Sequence, residues 1–139
     1  MKKTKNEEAL ISRLPSAVSG RSRFTSRRLA RTIAQISLTK KARDVLILDL
    51  RKLTTITDFF VLCTGDSDTH VKAIVDAIAE NLEHEKVKAW HVEGYSALKW
   101  VLMDYVDVVV HVFQQATREF YSLETLWGDA KMEEVKDET

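Results

Sequence analysis

The chain has 139 residues, 45% of them hydrophobic, with 21 basic and 21 acidic residues and a formal net charge of zero. That length fits one domain that buries a core without covalent staples, and the charge balance argues against a generic nucleic-acid or membrane binder. Cys63 is the only cysteine, which excludes an internal disulfide and a cysteine-based zinc site, and no apolar run approaches the ~20 residues that span a bilayer.

In chain order, residues 1–24 carry Pro15, Gly20, serines and arginines without lasting periodicity and read as a flexible basic tail. The stretch 12–31 is free of acids and rich in Arg and Ser, as an organelle transit peptide would be. It runs directly into a helix, however, behind an opening that mixes Lys2, Lys3 and Lys5 with Glu7 and Glu8. No secretory signal is visible, since the apolar run at 10–14 is short and broken. Ser26 is placed to cap a helix through about residue 41, with Leu29, Ile33 and Ile36 as its inner stripe and Lys40, Lys41 and Arg43 near its negative pole.

A first strand follows at 44–50, with Asp49 unusual for a core strand, then a short link at 54–58 and a second strand at 59–64. Gly65 breaks the chain. Asp66 or Ser67 caps a long helix to about residue 86, striped by Val71, Ile74, Val75, Ile78 and Leu82. A third strand is expected at 88–92, a turn at 93–95, a fourth strand at 98–103, a fifth at 108–113 and a short helix at 118–126. Residues 25–130 then form one domain, and 131–139 a loose acidic C-terminal tail. Short links make strands one and two, and four and five, antiparallel. The helical crossover from strand two to strand three implies a parallel relation. The fold class is α/β (α+β), a mixed central sheet with flanking helices.

The chain is organised around residues 100–113. Val108 to Phe113 is nearly all apolar and β-branched, the pattern of a strand covered on both faces. Val108, Val110 and Val112 should face one side, and Val109, His111 and Phe113 the other. Ahead of it, Trp100, Leu102, Met103 and Tyr105 surround Asp104, and Asp104 to Asp107 reads as a tight connection. Such a stretch can present an apolar patch with a polar rim at a sheet edge, a partner site that suits a basic surface. An apolar edge of this kind also commonly pairs with itself, so a homodimer is expected in isolation.

Other chemistry is poorly supported. The turn Gly65-Asp66-Ser67-Asp68 precedes a helix N-terminus, where phosphate could bind, but it lacks a Gly-Lys-Ser/Thr signature and its carboxylates repel phosphate, so capping explains it better. Asp104 and Asp107, with Asp49 or Asp58, could be imagined as a metal-binding set for nucleotidyl transfer, but nothing in the spacing forces them together. His111 reads as a packed core histidine, and His70, His84 and His91 have no spacing that builds a site. Cys63 reads as a small core residue in a reducing cytoplasm. No metal or other cofactor is called for.

The segments Thr57-Asp58-Phe59-Phe60-Val61, Thr64-Gly65, Val71-Lys72-Ala73-Ile74, Glu93-Gly94, Trp100-Val101-Leu102-Met103-Asp104-Tyr105, Asp107 through Phe113, Arg118-Glu119-Phe120-Tyr121 and Leu126-Trp127, in that order, resemble the ribosomal silencing factor family, also called Iojap-like. The likeness covers residues 26–130. It implies a nucleotidyltransferase-like fold without transferase activity, in the cytoplasm. It implies binding to the large ribosomal subunit through its ribosomal protein L-fourteen, which blocks joining of the small subunit and represses translation under nutrient limitation. Trp100, Leu102, Met103, Asp104 and Tyr105 fall at the expected contact. Asp66 stands where the family commonly has Ser, Met103 where it has Leu, and Val106 where it has Gly, which puts the fine geometry of that turn in question. The alternative is a metal-dependent nucleotidyltransferase-like enzyme.

Overall fold

The computed structural model describes residues 24–137, so the expected basic tail lies outside it except for Phe24. Helix α1 (Ser26–Thr39) leads into strands β1 (Arg43–Asp49) and β2 (Phe59–Gly65), and helix α2 (Asp68–His84) into β3 (His91–Glu93), β4 (Trp100–Asp104) and β5 (Val108–Gln114). Two short helices, α3 (Gln115–Tyr121) and α4 (Leu123–Leu126), precede a last strand, β6 (Lys131–Glu134). The sheet is mixed, with order β3-β4-β5-β2-β1-β6. Among the described residues only β2 and β5 pair in parallel; the other neighbouring pairs are antiparallel.

Local chemistry explains the helix starts. Thr25, not Ser26, caps α1, its hydroxyl accepting from Arg28 N–H at 3.1 Å. Ser67 caps α2 through His70 N–H at 3.1 Å. His70 joins the two helices: its Nδ1 accepts from Asp66 N–H at 2.8 Å, and its Nε2 meets Lys40 O at 2.7 Å. The carboxylates flanking Ser67 are engaged as well, Asp66 with Arg43 and Asp68 with Lys99.

The structure corrects three expectations. Strand three is only His91–Glu93 and does not neighbour β2; it runs parallel to β2, but β4 and β5 lie between them. The final helix is broken at Ser122, whose φ of 43° is left-handed and stops α3. The residues expected as a loose acidic tail form β6 over 131–134. It pairs with the outer edge of β1, and Arg27 and Arg31 of α1 reach Glu133. An open edge on β1 is a ready template for one more strand, which composition alone does not reveal.

Both long helices pack on one face of the sheet. Leu29 and Ile33 of α1 and Val71, Ile74, Ile78 and Leu82 of α2 meet Val45, Val61, Cys63, Val108, Val110 and Val112. On the opposite face Leu48, Leu50, Leu62 and Phe113 gather under Leu123. The alternation expected for β5 is what the structure shows, and Cys63 is fully buried in the helical-side core, where burial pushes its thiol up to about 12.

The β4–β5 connection is tight and strained. Asp107 N–H donates to Tyr105 O at 3.0 Å across Val106, whose φ is 73°. That is the three-residue turn in its less favourable hand, and a β-branched residue is poorly suited to it. Asp104 Oδ1 accepts from Val106 N–H at 2.8 Å and holds the turn in place. Val106→Gly should therefore raise stability, by about 1 kcal/mol in urea unfolding, because relief of the left-handed strain exceeds the entropy that glycine adds to the unfolded chain.

A cleft on the open face of the sheet

Strand register carries alternate residues to the face that the long helices leave open. Leu102 of β4 lies opposite His111 of β5, and His111 opposite Leu62 of β2. One step along, Asp104, Val109 and Phe60 form a second row, and Trp100 and Phe113 begin a third. Gly94 lets β4 start there: its φ is 84°, and a Cβ would sit 2.0 Å from Trp100 O. The helices α3 and α4 cover only part of this face. A cleft of about 330 Å³ remains between them and the β1–β2 connection. Leu50, Thr54, Ile56 and Thr57 wall one side, and Tyr121, Leu123, Leu126 and Trp127 the other. Two other hollows, beside Arg118 and along the Arg27–Arg31 side of α1, are more open to solvent.

Aromatic rings frame the cleft. Tyr121 lies 4.8 Å from Trp100, and Trp100 stacks on Phe113 at 5.0 Å. Phe60 meets His111 edge-on at 4.5 Å and Trp127 at 5.7 Å. Beside the cleft, Phe120 is 80% exposed and Leu126 72%. Large apolar side chains that open to water beside a concave apolar surface mark an interaction site. Phe60, Phe120, Tyr121 and Leu126 entered the sequence reading only within the family-like segments, not as site residues. The readable signal was four large apolar residues, at 120, 121, 126 and 127, on helices too short to bury them all.

The residues expected to form one patch are divided between two faces. Trp100 and Leu102 are half-buried and line the cleft; Asp104 lines it too, although only 2% exposed. Met103 and Tyr105, at 0% and 6% exposure, lie in the core under the helices. The two-residue period of a strand dictates this split. Burial, together with nearby Glu83, pushes the Tyr105 phenol up, so this ring is a packing residue in the free protein. Nor is the patch at a sheet edge, because β3 pairs along Leu102, Met103 and Asp104.

His111 is buried, as expected of a packed core histidine, and it also lines the cleft. Trp100 Nε1–H donates to His111 Nδ1 at 3.1 Å. An indole nitrogen can only donate, so Nδ1 carries the lone pair and the neutral ring carries its proton on Nε2. That Nε2 atom is buried without a hydrogen-bond partner, as is Thr57 Oγ1 in the cleft wall.

Two of the carboxylates considered for a metal site are engaged elsewhere. Asp49 pairs with Arg51 at 2.7 Å, which holds its carboxyl down at about 2, and Asp104 is tied to the turn. Among the described residues, no three His, Cys, Asp or Glu side chains are grouped to hold a metal ion.

A family model described as "Ribosomal silencing factor during starvation" matches residues 23–139. Ribosomal silencing factor RsfS of Bacillus subtilis is 40% identical over 96 residues, covering 69% of this chain and 81% of that protein. RsfS of Halalkalibacterium halodurans is 40% identical over 97 residues, covering 70% and 83%. A crystal structure of a protein from Chromobacterium violaceum superposes with a TM-score of 0.74 at 32% identity, covering 82% of this chain and 95% of that one.

Burial of His111 ties this face to pH. Without solvent or a charged partner, the imidazole is pushed down to about 3, against about 6.5 in an unfolded chain. Between those values the unfolded state takes up a proton that the folded state refuses, so stability falls as pH falls through that window. From pH 7 to pH 5 this group should cost about 2 kcal/mol. Urea unfolding at the two pH values measures the loss, and His111→Phe should remove that component.

Proposed function

The chain belongs to the ribosomal silencing factor family, and on that premise we propose that it docks on the large ribosomal subunit through the cleft face of its sheet and keeps the small subunit from joining. The observation that carries this reading is the cleft with its exposed rim: Trp100, Leu102 and Asp104 converge there beside Phe120 and Leu126, on a face the described elements cover only in part. The docking partner is ribosomal protein L-fourteen of that subunit. Trp100 and Leu102 make contact, Asp104 sets the potential for a basic partner and fixes the turn, and Met103 and Tyr105 support β4 from behind. The role needs no chemistry and no cofactor, since a body standing where another subunit must dock is sufficient. Translation is thereby repressed when nutrients are short, in the cytoplasm where subunits join.

In isolation the same rim pairs with a second copy in a two-fold dimer, so dimerisation competes with docking. Sedimentation at high concentration should show the dimer, and a monomer throughout would remove this part of the reading.

Exposed positions give the clean test of the docking face. Phe120→Glu and Leu126→Glu should melt with the wild type yet co-sediment with purified large subunits at least tenfold more weakly, ~1.4 kcal/mol or more. Trp100→Ala should lose binding by a similar factor and some stability as well, because its ring also packs on Phe113. If Phe120→Glu and Leu126→Glu co-sediment like wild type, the docking face lies elsewhere.

A further inference from the structure

Two polar groups sit where the cleft would be better filled by carbon. His111 is 3% exposed and Thr57 5%, both line the cleft, and neither His111 Nε2 nor Thr57 Oγ1 has a partner. A buried donor without an acceptor is costly, and an apolar residue of the same shape avoids that cost. The two groups come from separate elements, Thr57 from the β1–β2 connection and His111 from β5, and both meet the same cavity. His111 can only donate through Nε2, because Trp100 occupies its other nitrogen. Both atoms are shielded from solvent in the free protein, so an occupant of the cleft reaches them when half-buried neighbours such as Phe60 and Leu102 turn aside.

We propose that the cleft receives one inserted side chain of the docking partner, carrying a neutral hydrogen-bond acceptor on an apolar stem, which takes the His111 Nε2 proton and the Thr57 hydroxyl. The proposal rests on the reading that this face docks a ribosomal protein, and it adds what the cleft selects. The space, about 330 Å³, lies at the small end of the ~300–1,000 Å³ range of ligand clefts and suits a single inserted group. Its walls are mainly apolar, with Leu50, Ile56, Leu102 and Leu123 among them, so the stem is apolar. The acceptor is neutral, as in a side-chain amide or a hydroxyl. A carboxylate would face the Asp104 carboxylate that lines the same cleft, and an ammonium has no lone pair for His111. An occupant of carbon alone would leave both polar groups as unpartnered as they are in the free protein, whereas an acceptor relieves that cost, and specificity follows from the difference.

The test sets stability against binding. Thr57→Val removes the hydroxyl at nearly constant shape, Thr57→Ser keeps it, and His111→Phe removes the ring donor. The dissociation constant for isolated ribosomal protein L-fourteen is measured by calorimetry, and each variant is melted in parallel. Thr57→Val should melt at or above the wild-type temperature and bind five- to tenfold more weakly, Thr57→Ser should bind like wild type, and His111→Phe should bind at least tenfold more weakly. A purely structural role for these groups would move melting and leave the binding constant of the folded fraction unchanged. If wild type binds and both Thr57→Val and His111→Phe bind within twofold of it, the acceptor inference is wrong while the docking face stands. If wild type does not bind the isolated protein, both fall.

Discussion

Strand β5 is buried along almost its whole length, and the two faces of the sheet around it are covered unequally. Six strands at ~4.8 Å spacing make a sheet roughly 24 Å wide. The helices α1 and α2, of 14 and 17 residues, are roughly 21 and 26 Å long at 1.5 Å per residue and can cover such a face. On the other side α3 and α4 have seven and four residues, about 10 and 6 Å. They seal Leu48, Leu62 and Phe113 and leave the rest as a cleft. The shortage of helix on one face is thus what creates the concave apolar surface.

The short helices stay in place because of one buried cation. Arg118 of α3 is 5% exposed. It donates to Asp44 O at 2.6 Å and to Thr64 Oγ1 at 2.8 Å, and it pairs with Glu124 of α4 at 3.1 Å. A buried guanidinium is tolerated only when its donors are met, and here the acceptors come from β1, β2 and α4 together. The rim formed by Tyr121, Leu126 and Trp127 is therefore fixed to the sheet by polar bonds, which a helix of seven residues could not achieve by packing alone.

Polar groups on the cleft side serve positioning. The Trp100–His111 bond sets the indole against β5, Asp104 holds a turn that Val106 resists, and Gly94 gives the Trp100 backbone its room. A preformed surface of this kind loses little conformational freedom on docking, and so fits the docking role proposed for this face. The strain at Val106 and the unpartnered atoms of His111 and Thr57 lie beside or within the same face. Departures from local stability concentrate where a molecule meets its partner.

Sequence alone determined the local elements: the β-branched run 108–113 had to be a doubly covered strand, the 3.6-residue stripe from Val71 to Leu82 a helix, and the caps fell within a residue of their places. It also determined the family, because the order and spacing of short motifs survive without any knowledge of contacts. What it left open were relations between distant parts of the chain. Strand β3 at the far edge, β6 against β1, and the separation of Met103 and Tyr105 from Trp100 and Leu102 all depend on which strands become neighbours. Phe120 and Leu126 could have been core or surface from their residue type; the tertiary structure decided it, because none of the described elements covers them. His111 shows the division most sharply. Its burial was legible in the apolar residues around it, whereas its bond to Trp100 and its place in the cleft required β4 and β5 to pair in one particular register.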